Sequence, residues 1–126
     1  DQWHSCIRLS VDSHFEGKNP DFKRIYELIA GIIESCGECN IEPVKSAILF
    51  KHRSIFLAFR PKKTHIELNF MLDVEVNEFP IHRTGQHSKN TWSHTLKLQS
   101  EEEVDHQIVG WLERAFALSF AKSSKS

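Results

Sequence analysis

The stretch IFLAFRPKKTHIELNFML, Ile55 to Leu72, decides the fold. It opens on an apolar run of strand length. Its second part alternates, with Ile66, Leu68, Phe70 and Leu72 on one side and His65, Glu67 and Asn69 on the other. A side-chain period of two marks a strand with one buried and one wet face. Arg60, Pro61, Lys62 and Lys63 between the runs carry the residue types of a turn. The stretch therefore predicts two antiparallel strands, and Ser46 to Phe50 before it and Trp92 to Gln99 after it extend the sheet.

Outward from the sheet the period changes to that of helices. Ser10 to Gly17 predicts a short helical turn, with Ser10 as cap and Phe15 facing inward. Asn19 then caps a helix whose first position is Pro20, where a missing N–H costs nothing. Phe22, Ile25, Tyr26, Ile29, Ile32, Ile33 and Cys36 form its apolar face, and Gly37 is a left-handed stop. At the other end Ser100 and Glu103 have capping-box spacing, and Glu101, Glu102 and Glu103 suit the positive end of a long helix. Val104, Ile108, Trp111, Leu112, Ala115 and Phe116 make its inward stripe. Gly110 in its interior costs about 1 kcal/mol relative to alanine, which predicts close packing there. Asp73 to Thr91 contains Pro80 and Gly85 and few periodic apolar positions, so it is expected to be a long excursion with room for one irregular strand, of a length that is usually functional or mobile. The expected fold is α+β: an antiparallel β-meander of about four to five strands, with an N-terminal helix and a long C-terminal helix on one face. Residues 1–121 are expected to form one domain and 122–126 a disordered polar tail.

Composition limits the function classes. At 126 residues the chain can bury a core of its own. No apolar run approaches the ~18 residues of a membrane span, and no leader is expected. Three cysteines argue against a disulfide framework and for the reducing cytoplasm. A net charge of −1 gives no whole-molecule field for nucleic acid, so an anion would need a local patch.

Several motifs offer chemistry. Cys36-Gly-Glu-Cys39 has metal-ligand spacing, and His4 with Cys6 supplies a second pair, together a Cys3His set for zinc. Against this, Cys36 falls on the inward face of its helix, where a thiol acts as a small hydrophobe. A redox role is disfavoured because the pair sits at a helix C-terminus. His65-Ile-Glu67 lacks the following P-C-x-x-C of zinc deaminases, and no lysine completes a restriction-type Glu-x-Lys. No phosphate loop or nucleophile elbow occurs.

Charge segregation is the better signal. From Val44 to Ile66 there are six basic residues (Lys45, Lys51, Arg53, Arg60, Lys62, Lys63), two histidines (His52, His65) and no acid. Such a strip could hold phosphates, although Lys62 and Lys63 read more simply as solvated turn residues. Arg60 alternates with Phe56 and Ala58. His94 shares a strand face with Trp92, Leu96 and Leu98, which makes it either a satisfied core histidine or a pocket residue. His82, Arg83 and His87 lie in the adjacent loop.

Taken together, the Q-x-H-S-C opening, HFEGKNP, the K-x-x-I-x-F strand beginning at Lys45, and HTLKLQSEEEVDHQIVGWLERAF resemble one family. It is the bacterial family of domain of unknown function 5655, over nearly all of residues 2–120. The resemblance implies that the opening is half of a small zinc knuckle, because family members often carry a C-x-x-C before Q-x-H-S-C. His4 and Cys6 would be its last two ligands, and zinc would bind only with upstream partners or with Cys36 and Cys39 in their place. The family generally has no C-x-x-C at those two positions. Related domains follow nuclease-like halves, which implies an accessory binding role. Lys45, Arg83 and His94 match the polar positions carried over.

The leading expectation is a non-catalytic binding module for an anionic ligand or nucleic acid, built from Lys45, Arg60, Arg83 and His94 around a groove. A competing expectation is a hydrolase-like enzyme that joins His82, His87 or His94 to Glu67 or Asp105 in one cleft. A third is a structural module that dimerises through the N-terminal arm and the long loop.

Overall fold

In the computed structural model the described residues are 11, 14–52 and 54–125, with side chains described as far as residue 119. Helix α1 spans Pro20–Cys36 and helix α2 spans His106–Lys125, with six strands between them. These are β1 (Asn40–Val44), β2 (Ala47–Lys51), β3 (Ile55–Pro61), β4 (Ile66–Leu72), β5 (Ile81–Ser88) and β6 (Thr91–Leu98). They form one antiparallel sheet in the order β1-β2-β3-β4-β6-β5. Strands β2, β3, β4 and β6 are the expected ones, and β1 adds an unexpected edge before them. After β4 the chain skips one place, lays β5 at the far edge and returns through β6 to close on β4.

The alternation in β4 is realised in full, with Ile66, Leu68, Phe70 and Leu72 buried and Glu67, Asn69 and Met71 partly exposed. Register carries that face across the sheet: Phe70 lies opposite Leu57 and His94, and Leu68 lies opposite Phe59 and Leu96. Against it α1 packs Phe22, Ile25, Ile29 and Ile33, and α2 packs Ile108, Trp111, Leu112 and Ala115, all within one core. Each fully buried side chain of this size contributes about 1.5–3 kcal/mol. Phe70 stacks with both Trp111 (5.8 Å) and His94 (5.5 Å), and Phe56 meets the edge of Phe116 at 5.6 Å.

Both helix starts are capped by side chains. Asn19 Oδ1 accepts from Asp21 N–H at 2.9 Å, with Pro20 next, as the sequence predicts. The C-terminal start is corrected. Glu103 does reach back, its carboxylate accepting from the Ser100 and Gln99 N–H groups, but it closes only a 3-10 turn, Glu101–Glu103. Val104 then turns extended (φ −81°, ψ 93°) and Asp105 caps α2, accepting from Ile108 N–H at 3.1 Å. The three glutamates therefore serve one turn, not the long helix. Gly110 is also corrected: a Cβ there would meet no heavy atom of the described residues within 4 Å, so no close packing among them demands the glycine. The backbone of α2 continues through Lys125, over residues 122–125. No helix among the described residues is long and apolar enough to cross a membrane.

Candidate anion site

At one end of the sheet gather the β1–β2 turn, the β3–β4 turn, the end of β6 and the start of β5. The segment before α1 is pinned to this end by aromatic packing. Phe15 lies 5.6 Å from Tyr26 and 6.0 Å from Phe59, and Tyr26 meets Phe59 edge-on at 5.4 Å. Burial of Tyr26 among these rings pushes its hydroxyl pKa up to about 12. Around Phe15 the chain turns tightly, with Lys18 N–H donating to Phe15 O at 3.2 Å. Gly17 supplies the positive φ of 71° that this turn needs. With Phe15 directed inward, His14 and Lys18 are left on the rim.

The rim belongs to a depression of about 490 Å³ lined by His14, Lys18, Pro43, Val44, Lys45, Ser46, Pro61 and Lys62. Three lysines and a histidine face it, and among the described residues no Asp or Glu lines it. Lys45 and Ser46 form the turn between the paired residues Val44 and Ala47, so backbone pairing fixes where Lys45 starts. Pro61 and Lys62 enter from the end of β3, where Lys62 N–H donates to His65 O at 2.8 Å and closes the next hairpin. The volume is that of a small-molecule site. Its donors suit an anion with several oxygens, because each ammonium offers charge-assisted hydrogen bonds.

The four residues expected around one groove are not brought together. Lys45 stands at the depression. Arg60 lies on the sheet face away from the helices, opposite Glu67, which in turn lies opposite Lys97. Arg83 lies opposite Thr95 on that same face and is exposed. His94 lies on the helix-covered face and is wholly buried. Its Nε2 accepts from Val76 N–H at 2.9 Å, which puts the ring proton on Nδ1, and among the described residues Nδ1 has no well-aligned hydrogen-bond partner. Burial lowers the His94 pKa, opposed by the backbone of Phe70 and Trp92 and by Glu75. It is thus a neutral core group that ties the loop after β4 to the sheet.

The groups of the enzymatic expectation are dispersed as well. His82 and His87 sit near opposite ends of β5, and His87 lines a separate cleft of about 40 Å³ beside Phe56, Met71 and Ser119. The Asp105 carboxylate is engaged in capping α2, and no hydrogen bond among the described residues joins these histidines to Glu67 or Asp105. His4 and Cys6 lie outside the described residues, as do Arg53, Trp3 and Ser10. Cys36 and Cys39 are free and half-buried, and Cys36 Sγ donates to Ile32 O at 3.4 Å. Burial raises the pKa of both thiols, against the thiolate form that zinc requires. No group of three or more His, Cys, Asp or Glu placed to hold a metal ion occurs among the described residues.

The basic strip was legible in the sequence, but its partners were not. His14 and Lys18 carried no site reading, and Lys62, though part of the strip, read as a solvated turn residue. The signal that could have found the first two is the HFEGK turn itself, in which an inward Phe15 commits its polar neighbours outward.

Residues 11–119 match the family model described as domain of unknown function (DUF5655), and the chain belongs to that family. No curated protein and no solved structure matches it.

Proposed function

We propose that this member of the DUF5655 family is a non-catalytic binding module for a phosphate-bearing anionic ligand, seated at the depression of His14, Lys18, Lys45 and Lys62. One observation carries the reading: a chain of net charge −1 collects three lysines and a histidine around one depression, with no acid on its lining among the described residues. The groups come from three separate chain segments, each fixed by its own constraint: the Phe15 anchor, the β1–β2 turn and the β3–β4 turn. A cytoplasmic setting fits the same reading, since the free thiols at Cys36 and Cys39 suit a reducing compartment.

The test is titration calorimetry of the full chain with inorganic tripolyphosphate in 50 mM and 200 mM salt. Binding is expected at low salt and should weaken at high salt, because exposed charges are screened over about 8–10 Å. Lys18→Ala and Lys45→Ala should each lower affinity by up to about fivefold, the worth of an exposed ion pair. Absence of binding at 50 mM salt, or a doubly substituted chain that binds like the parent, refutes the assignment.

A further inference from the structure

On the far side of the β3–β4 turn from the depression lies a second one, of about 600 Å³. It is lined by Thr64, His65, Phe79, Pro80, His82, Lys97, Gln99 and Glu103. Only the turn separates the two: Pro61 and Lys62 line the first, Thr64 and His65 the second. Phe79 is the outlier among the described residues. It is 89% exposed, whereas the other exposed large apolar residues, Leu28, Val44, Ile55 and Val74, range from 38% to 45%. A phenyl ring in water is a cost that ordinary packing would remove.

The backbone on either side of the ring is nevertheless anchored. Ile81 N–H donates to Glu78 O at 2.9 Å, and Glu78 Oε1 accepts from Gln107 Nε2 at 3.2 Å, which ties the residue before Phe79 to α2. Further back, Val76 N–H is bound to His94. The one acid lining this depression, Glu103, already has its carboxylate on the backbone N–H groups of Gln99 and Ser100. His65, His82 and Lys97 remain as donors beside the ring.

An exposed aromatic ring on an anchored backbone, beside Lys97 and one turn away from the depression of Lys18, Lys45 and Lys62, matches one ligand chemistry: alternating flat bases and phosphates. Duplex bases are already stacked on each other, so their faces are not on offer to a side chain. We propose that the ligand is a single-stranded nucleic acid, with phosphates held by Lys18, Lys45 and Lys62 and by Lys97, and a base stacked on Phe79. This rests on the anion-site reading above and goes beyond it by naming the ligand class.

The experiment measures fluorescence anisotropy of the full chain with three labelled probes: a deoxythymidine 12-mer, a uridine 12-mer, and a 12-mer of abasic spacers carrying the same phosphates. The two base-bearing strands are expected to bind more tightly than the abasic one, and their ratio tells DNA from RNA as the source. Phe79→Ala should weaken the base-bearing strands by roughly 5- to 150-fold, the range for loss of one base–aromatic stack. It should leave the abasic strand unchanged, and Phe79→Trp should restore tight binding. Lys45→Ala should weaken all three. Equal affinity for abasic and base-bearing strands, or indifference to Phe79→Ala, overturns the stacking proposal. If tripolyphosphate binds while no strand does, the ligand class is wrong and the anion site stands. If nothing binds, both fall.

Discussion

Replacing Gly110 with alanine is expected to stabilise the fold by about 1 kcal/mol, while the same replacement at Gly37 is expected to destabilise it by about 1–3 kcal/mol. The opposite signs follow from geometry. Gly110 lies in the interior of α2, and an added Cβ meets no heavy atom of the described residues within 4 Å. Nothing offsets the gain in helix propensity and the reduced freedom of the unfolded chain. Gly37 ends α1 at φ 153°, ψ −173°, a backbone conformation rarely open to other residues, and its Cβ would stand 2.9 Å from Phe116 Cζ. Phe116 is itself 8% exposed and set edge-on against Phe56, so it has little room to retreat. Urea unfolding followed by tryptophan fluorescence reads both effects. With a slope of about 1–3 kcal/mol per molar urea, 1 kcal/mol moves the midpoint by roughly 0.3–1 M. A lower midpoint for Gly110→Ala, or a Gly37→Ala chain as stable as the parent, would refute the reasoning, provided the slopes are unchanged.

Acid should weaken the fold through His94. Its pKa is lowered from 6.5 by burial, so the unfolded chain binds the extra proton first. The stabilisation is complete above about pH 6.5 and is lost on acidification through that value, at up to about 1.4 kcal/mol per pH unit. His94→Gln keeps an acceptor for Val76 N–H and should flatten the profile between pH 7.5 and 5, and identical slopes in the two chains would contradict this. Asp105→Ala should cost about 1 kcal/mol through loss of the α2 cap, with Asp105→Asn close to the parent. Thermal unfolding distinguishes them, and an unaffected Asp105→Ala chain would place the cap elsewhere.

What was legible in the sequence follows the physics of burial. Central strands and helices announced themselves because one face of each is apolar: Ile66, Leu68, Phe70 and Leu72 could hardly be read otherwise. The strand that went unread, β1, and the one that read only as an irregular strand within a long excursion, β5, are the two edges of the sheet. In β1, Pro43 argues against a strand, yet an edge tolerates it because one side of the edge needs no donor. β5, IHRTGQHS, is mostly exposed and is held by backbone pairing with β6, which leaves no periodic trace in the side chains. The capping box was a correct local signature with the wrong extent, because Val104 breaks the turn before the long helix begins. For the site, Lys45 was visible in an acid-free run, whereas its partnership with His14 and Lys18 depends on how Phe15 docks. The role of Phe79 depends on exposure, which a loop sequence does not encode.

The place of β6 between β4 and β5 has a consequence for the growing polypeptide. β5 leaves the ribosome before the strand it pairs with, and until Leu98 has followed, β4 waits with an unpaired edge of alternating Ile, Leu, Phe and Leu. β5 pairs with β6 alone, so it can join the sheet only once β6 is present, and that hairpin carries His82 and Lys97 while Phe79 leads into it. A nascent chain halted short of that point already contains the segments of the lysine-lined hollow but has no seated aromatic platform. The protein's surface is completed in two instalments, and the second is the one that would recognise a base.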